Sequence, residues 1–248
     1  MKNYIKKSYF VWLIELKNYL LMRYAHVSYS QEGEDLILER IFEGQNRGFY
    51  VDIGAHHPIR FSNSYLFYKK GWYGINIDPM PGCMKKFNIF RPKDINIEHA
   101  VSDNNKKLKY YIFNDPALNT FDKDLKNSLL ATTNYIVQKT IKVSPVPLRE
   151  ILRANLRPET VIDFISIDVE GHQYQVIISN DWSIYRPKVL LIEILSNSVK
   201  NLASNSTVKY IEDQGYVLFS KTFSTCFFID YNFFKKRFKN PVIKNDNE

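Results

Sequence analysis

The sequence predicts an α/β fold: a mostly parallel seven-stranded sheet, covered by helices on both faces and completed by an antiparallel strand at its C-terminal end. Three observations predict it. Short apolar runs rich in β-branched residues recur along the chain. Segments long enough for crossover helices separate most of them, as parallel neighbours require. The last two runs are separated by only two residues, which forces a hairpin.

In chain order, Ser30 can cap a helix running through Phe42, on which Leu36, Ile37, Ile41 and Phe42 share a face. Phe49–Gly54, Tyr73–Asp78, Asp94–Val101, Asp163–Asp168 and Lys188–Ile194 read as strands. Ser62–Lys70, His172–Asn180 and Thr207–Gln214 read as helices between them. Lys107–Phe113 reads as a further strand, and the polar stretch Asn114–Thr140 after it as a loop or lid over the site. Tyr216–Thr222 and Thr225–Tyr231 form the closing hairpin.

A chain of 248 residues, 45% of them hydrophobic, can bury one large core, and no repeat or low-complexity tract divides it. The sequence is organised as an amphipathic helical extension over 1–27, a folded domain over 28–231 and a basic tail over 232–248. Cys83 and Cys226 stand far apart and outside any C-x-x-C pair, so neither a disulfide scaffold nor a zinc site is expected, and a reducing cytoplasm fits. The formal charge of +8 lies mainly at the ends: Lys2, Lys6, Lys7, Lys17 and Arg23 face a single acid, Glu15, in the first 23 residues. The body therefore lacks the basic face that nucleic-acid binding needs. The apolar run Tyr9–Ile14 falls far short of the ~20 residues of a membrane span.

Ligands of open α/β sheets bind beyond the carboxyl ends of the strands, so chemistry is sought there. Asp52-Ile53-Gly54 at the first such end suggests a nucleotide-type turn. His56 and Ile59 occupy positions where G-x-G-x-x-G would have its later glycines, and no G-x-x-x-x-G-K-[ST] is present. Dinucleotides and ATP are thus disfavoured, while a nucleoside without phosphates is admissible. Asp78, at the second strand end, can accept hydrogen bonds from both ribose hydroxyls. His99, Ala100, Val101, Ser102 and Asp103 offer small apolar and polar groups for an adenine. Asp168-Val169-Glu170-Gly171-His172 gathers three ionisable groups, with His172 as the leading acid/base candidate. Three readings stay open for this cluster: acid/base catalysis, helix capping by Asp168 or Glu170, and metal binding by Asp168, Glu170 or His172 with Glu193.

The succession Tyr29-Ser30-Gln31-Glu32-Gly33-Glu34-Asp35, Asp52-Ile53-Gly54-Ala55-His56-His57-Pro58, Gly74-Ile75-Asn76-Ile77-Asp78-Pro79, Ala100-Val101-Ser102-Asp103 and Asp168-Val169-Glu170-Gly171-His172 resembles the FkbM family of S-adenosylmethionine-dependent O-methyltransferases, over roughly residues 28–231. The resemblance implies a Rossmann-like class I methyltransferase fold and methylation of a hydroxyl on a sugar, as a nucleotide-activated sugar or a surface-polysaccharide precursor. It implies that Gly54, Asp78 and Asp103 hold S-adenosylmethionine, with Asp52 and Ser102 lining its pocket. His172 would then be the base, with Asp168 and Glu170 orienting it or the sugar hydroxyls, and Ser30, Gln31, Glu34, Asp35 and Glu193 on the acceptor side. This chain has His56 and Pro58 where many members have Asn and Gly, and Gln173 where Glu is usual. A binding module on the same frame is the alternative, and an NAD-dependent sugar oxidoreductase is disfavoured by the missing pyrophosphate turn. No metal site is assigned, and the apolar N-terminal helix and Phe233, Phe234 and Phe238 are candidates for an interface between copies of the chain.

Overall fold

The computed structural model describes residues 24–157, 159–195 and 198–238, with 12, 14, 16–19 and 21 of the N-terminal extension. Residues 12, 14 and 16–19 are helical. The remainder of the expected extension, and positions 239–248 of the expected tail, lie outside the described residues.

Five strands form the parallel part of the sheet: β1 (Phe49–Ile53), β2 (Tyr73–Ile77), β3 (Ile95–Ile97), β6 (Phe164–Ile167) and β7 (Val189–Glu193). With β8 (Tyr216–Lys221) and β9 (Thr225–Asp230) the order is β3-β2-β1-β6-β7-β9-β8. The expected hairpin is present, and β9 is antiparallel to both of its neighbours. The reversed strand therefore sits second from the edge, and β8 occupies the edge itself. Asp94–Val101 contributes only Ile95–Ile97 as strand, while Val101 makes an isolated bridge to Val146. Lys107–Phe113 does form a strand, β4 (Leu108–Phe113), but it pairs with β5 (Val137–Val143) in a separate two-stranded ribbon. The loop expected over Asn114–Thr140 is more ordered than its polarity suggested: it holds a 3-10 turn (Pro116–Leu118), helix α4 (Lys123–Thr132) and the first half of β5.

Strand alternation sends Val51, Ile53, Ile165, Ile167, Leu190 and Ile192 to one face, under α5 (Leu148–Asn155), α6 (Gln173–Ile178) and α8 (Ser206–Asp213). Tyr50, Phe164, Val189, Leu191, Phe227 and Ile229 point to the other face, against α1 (Glu34–Ile41), Trp72 and α2 (Tyr65–Lys69). Both faces are thus buried, as runs without polar alternation imply. Phe233, Phe234 and Phe238 pack, partly buried, against this second core; the first two lie on α9 (Tyr231–Arg237), which forms where a tail was expected.

Helix α1 starts at Glu34 after Gly33, whose φ of 86° ends the preceding turn, so Ser30 is not its cap. Ser30 Oγ instead donates to Asp35 Oδ1 at 2.9 Å. On the second face, fully buried Arg91 pairs with Asp94 at 2.8 Å and donates to Tyr50 Oη at 2.7 Å and Ser64 Oγ at 3.0 Å. Asp94 in turn receives Gly74 N–H and Asn76 Nδ2. This network ties β1, β2 and the approach to β3 to α2 by charge as well as packing.

Candidate active site

The carboxyl ends of β1, β2, β6 and β7 surround a cleft of about 350 Å³. Gly54, Asp78, Asp168, Glu170, His172, Glu193 and Gln31 line it. Gly54 has a φ of 81°, and a Cβ there would overlap the carbonyl oxygen of Asp168. The glycine is needed so that the ends of β1 and β6 can approach each other, and it also lines the cleft. Asp78 accepts His56 N–H at 3.0 Å and Met80 N–H at 2.8 Å, and burial raises its carboxyl above the ordinary range against those two bonds.

Beyond β6 the chain turns through Glu170 (φ 46°) and Gly171 (φ 91°). Glu170 is not a glycine, so its left-handed backbone is strained and needs outside support. Thr120 supplies it, donating to the Glu170 carbonyl at 2.6 Å from the segment between β4 and α4. The same segment brings Asn119 and Phe121 into the cleft wall, where Phe121 lies 4.7 Å from the Tyr110 ring and 5.4 Å from the His172 ring.

Asp168, Glu170 and Glu193 bring carboxylate oxygens within 4.8 Å of one another. Asp168 is open to the cleft mouth but enclosed by protein on its other sides. That enclosure, and then Glu193 beside it, hold its carboxyl well above the ordinary range. Burial and then the Asp168 charge push Glu170 up to about 8, and burial and then Glu170 push Glu193 up to about 7. Glu193 Oε2 is buried with no hydrogen-bond partner among the described residues. Near neutral pH the group therefore holds protons that isolated carboxyls would have released.

His172 stands apart from this trio. Its Nε2 lies 3.1 Å from Ser102 Oγ, and Ser102 donates to Asp103 Oδ1 at 3.1 Å. The imidazole is thus oriented by Ser102 and Asp103, not by Asp168 or Glu170 as expected, and neither carboxylate caps α6. Burial lowers its pKa, opposed by the charges of Asp103 and Asp122.

Of the other expected site residues, His99 and Val101 line the cleft, and the rest fall outside its wall. Asp52 is buried and receives Ser64 Oγ; Ser102 is buried behind His172, with half-buried Asp103 beside it. Of the N-terminal motif only Gln31 reaches the cleft. Asp35 is consumed by Ser28, Ser30 and Tyr29 N–H, and Glu34 by Glu32 N–H and Thr225 Oγ1. Glu32 receives Ser224 N–H and Oγ, so the motif clips onto the β8–β9 hairpin. Sequence reading missed Arg60, Phe61, Tyr110, Asn119, Phe121 and Tyr135 as lining residues, while His56, noted there as a departure from the family pattern, does line the cleft. The aromatic residues inside the polar lid stretch were the one available signal for the wall it builds.

A parallel sheet with a reversed strand second from one edge, and a cleft at the carboxyl ends whose loops lack a phosphate-cradling turn, define a Rossmann-like class I methyltransferase fold. Residues 52–218 match the methyltransferase FkbM domain, and the chain belongs to that family of methyltransferases. No curated relative matches it. Among solved structures it is similar to the METTL16 MTase domain, at 13% identity and a TM-score of 0.44 over 79% of this chain and 65% of that one. It is also similar to the C-terminal domain of precorrin-6Y C5,15-methyltransferase from Rhodobacter capsulatus, at 9% identity and a TM-score of 0.38 over 78% and 85%. A third is precorrin-6y C5,15-methyltransferase from Geobacter metallireducens GS-15, at 12% identity and a TM-score of 0.36 over 79% and 85%. The chain spans just under two thirds of the METTL16 domain. No helix among the described residues is long and apolar enough to cross a membrane.

Proposed function

We propose that this chain transfers the methyl group of S-adenosylmethionine to a hydroxyl of a sugar, with His172 as the general base. One observation carries the reading: a ribose-competent carboxylate, an imidazole and three proton-holding carboxyls share one cleft at the strand ends. The donor set fits the cofactor. Asp78 can accept from ribose hydroxyls, and the carboxyl oxygens of Asp168, Glu170 and Glu193 can accept hydrogen bonds from the polar groups of the nucleoside. When bound, S-adenosylmethionine supplies an electrophilic methyl. Gly54 and Asp78 would touch it, while Asp52, Ser102 and Asp103 act through the groups they bond.

The remaining work falls to the chain. Ser102 gives its hydroxyl proton to Asp103, so it receives the proton on His172 Nε2, and Nδ1 is left as the basic atom. A lowered pKa keeps that imidazole neutral near pH 7, ready to take the acceptor proton as the new C–O bond forms. Carboxyls that keep a proton can donate to sugar oxygens as well as accept from sugar hydroxyls. Gln31 lines the same cleft, where its amide can donate to or accept from an acceptor hydroxyl. The free thiols Cys83 and Cys226 suit a cytoplasmic protein.

Labelled S-adenosylmethionine incubated with a panel of sugar acceptors, with and without a chelator, tests the activity. His172→Gln is expected to lower kcat by about 10²–10⁴ and to leave donor affinity unchanged, because the loss falls on proton transfer. Full turnover by that variant removes the base from this residue.

A further inference from the structure

We propose that the apolar, basic extension ahead of the folded domain docks the protein on an anionic lipid surface. Residues 12, 14 and 16–19 are helical, and Leu21 N–H continues the turn by donating to the Lys17 carbonyl at 3.0 Å. Trp12, Leu16 and Tyr19 stand at i, i+4 and i+7 and so share one face of that helix. All three are exposed, Tyr19 to 75%, as are Ile14, Leu21, Tyr24 and Val27. Elsewhere among the described residues, large exposed apolar side chains come singly or in adjacent pairs along the chain, as with Ile89 and Phe90 on α3 (Met84–Phe90). Seven such residues between positions 12 and 27 form a surface that calls for a cover.

Charge decides what covers it. The first 23 residues carry Lys2, Lys6, Lys7, Lys17 and Arg23 against Glu15, a net +4. A second copy docked through the same segment would set one such charge against another and be repelled. The headgroups of an anionic bilayer offer the opposite sign, at the depth where Trp and Tyr rings prefer to lie and where apolar side chains enter the acyl boundary. The six apolar residues Tyr9–Ile14 are too few to span, so the contact is peripheral. A further apolar point lies close by: Phe223, 85% exposed, at the tip of the β8–β9 hairpin. Ser224 beside it donates N–H and Oγ to Glu32, which holds the tip against the segment that follows the extension. Val27 is four residues from Gln31, a reach of at most about 14 Å, and Gln31 lines the cleft. The cleft therefore works close to the lipid surface.

Co-sedimentation of the full chain with lipid vesicles tests this, and it reads binding without reference to methyl transfer. The wild type is expected to partition at least about tenfold more strongly onto vesicles of phosphatidylglycerol mixed with phosphatidylcholine than onto phosphatidylcholine alone, and to be released as salt is raised. Two variants probe the two contributions. Lys6→Glu/Lys7→Glu/Lys17→Glu leaves two cations against four acids in the first 23 residues, and Trp12→Ser/Tyr19→Ser removes two rings from the exposed face. Each should lose about tenfold or more of that partitioning while the denaturant midpoint stays at the wild-type value. Failure of the wild type to bind anionic vesicles, equal binding to both kinds of vesicle, or unchanged binding by either variant overturns the inference. So does a dimer in analytical ultracentrifugation that Trp12→Ser/Tyr19→Ser dissociates, which would assign the face to a second copy of the chain.

Discussion

Glu193 ends β7 inside the cleft with one oxygen buried and unpaired, and its pKa of about 7 makes it a liability to the fold at high pH. The unfolded carboxyl releases its proton near 4.5, so between about pH 4.5 and 7 the folded chain binds more protons than the unfolded one, and stability falls as pH rises. Glu193→Gln should therefore stabilise the protein by about 1–3 kcal/mol at pH 8 and by little at pH 4.5, read from denaturant midpoints at both values. The position of Glu193 was legible because acids at the ends of buried strands face the ligand side. Glu34 and Asp35 misled for the opposite reason. They lie outside the nucleotide frame on a helix expected to close over the acceptor, yet both are buried and used up on neighbouring backbone and hydroxyl groups.

Between elements, the contact that shapes the site is the crossing of the β1 and β6 ends at Gly54. An alanine there meets the Asp168 backbone, which cannot yield, and also requires a left-handed φ. Gly54→Ala is expected to lose more than about 3 kcal/mol or to prevent folding. Gly82→Ala, with a φ of 80° and open space around it, should lose only about 1 kcal/mol by the same denaturation assay. The parallel strands were readable from their continuous apolar runs. Helix α4 and strand β5 were not: neither has a buried residue, so no stripe or alternation marks them, and β5 is defined by its partner β4. The site wall built by Asn119 and Phe121 escaped sequence reading with them. What did come through there was the polarity of a segment that lies over the cleft.

Across the whole molecule, the buried Arg91 cluster is the electrostatic fastening of one sheet half. Arg91→Ala leaves Asp94, and near it Asp52, buried without a cation, and should destabilise the protein by about 3–5 kcal/mol in chemical denaturation. Nothing in the sequence marks Arg91, because its partners lie at Tyr50, Ser64 and Asp94, in three different elements or connections. The overall sheet was legible, since hairpin spacing and run length are local, while the insertion of β9 between β7 and β8 is a property of the assembled sheet. That insertion bears on synthesis. Domains begin to fold from the N-terminus as the chain emerges, yet the strand that shields β7 arrives only after α8 and β8. A nascent chain halted before Thr225 would display Val189–Glu193 as a bare apolar border, open to pairing with any other chain at hand.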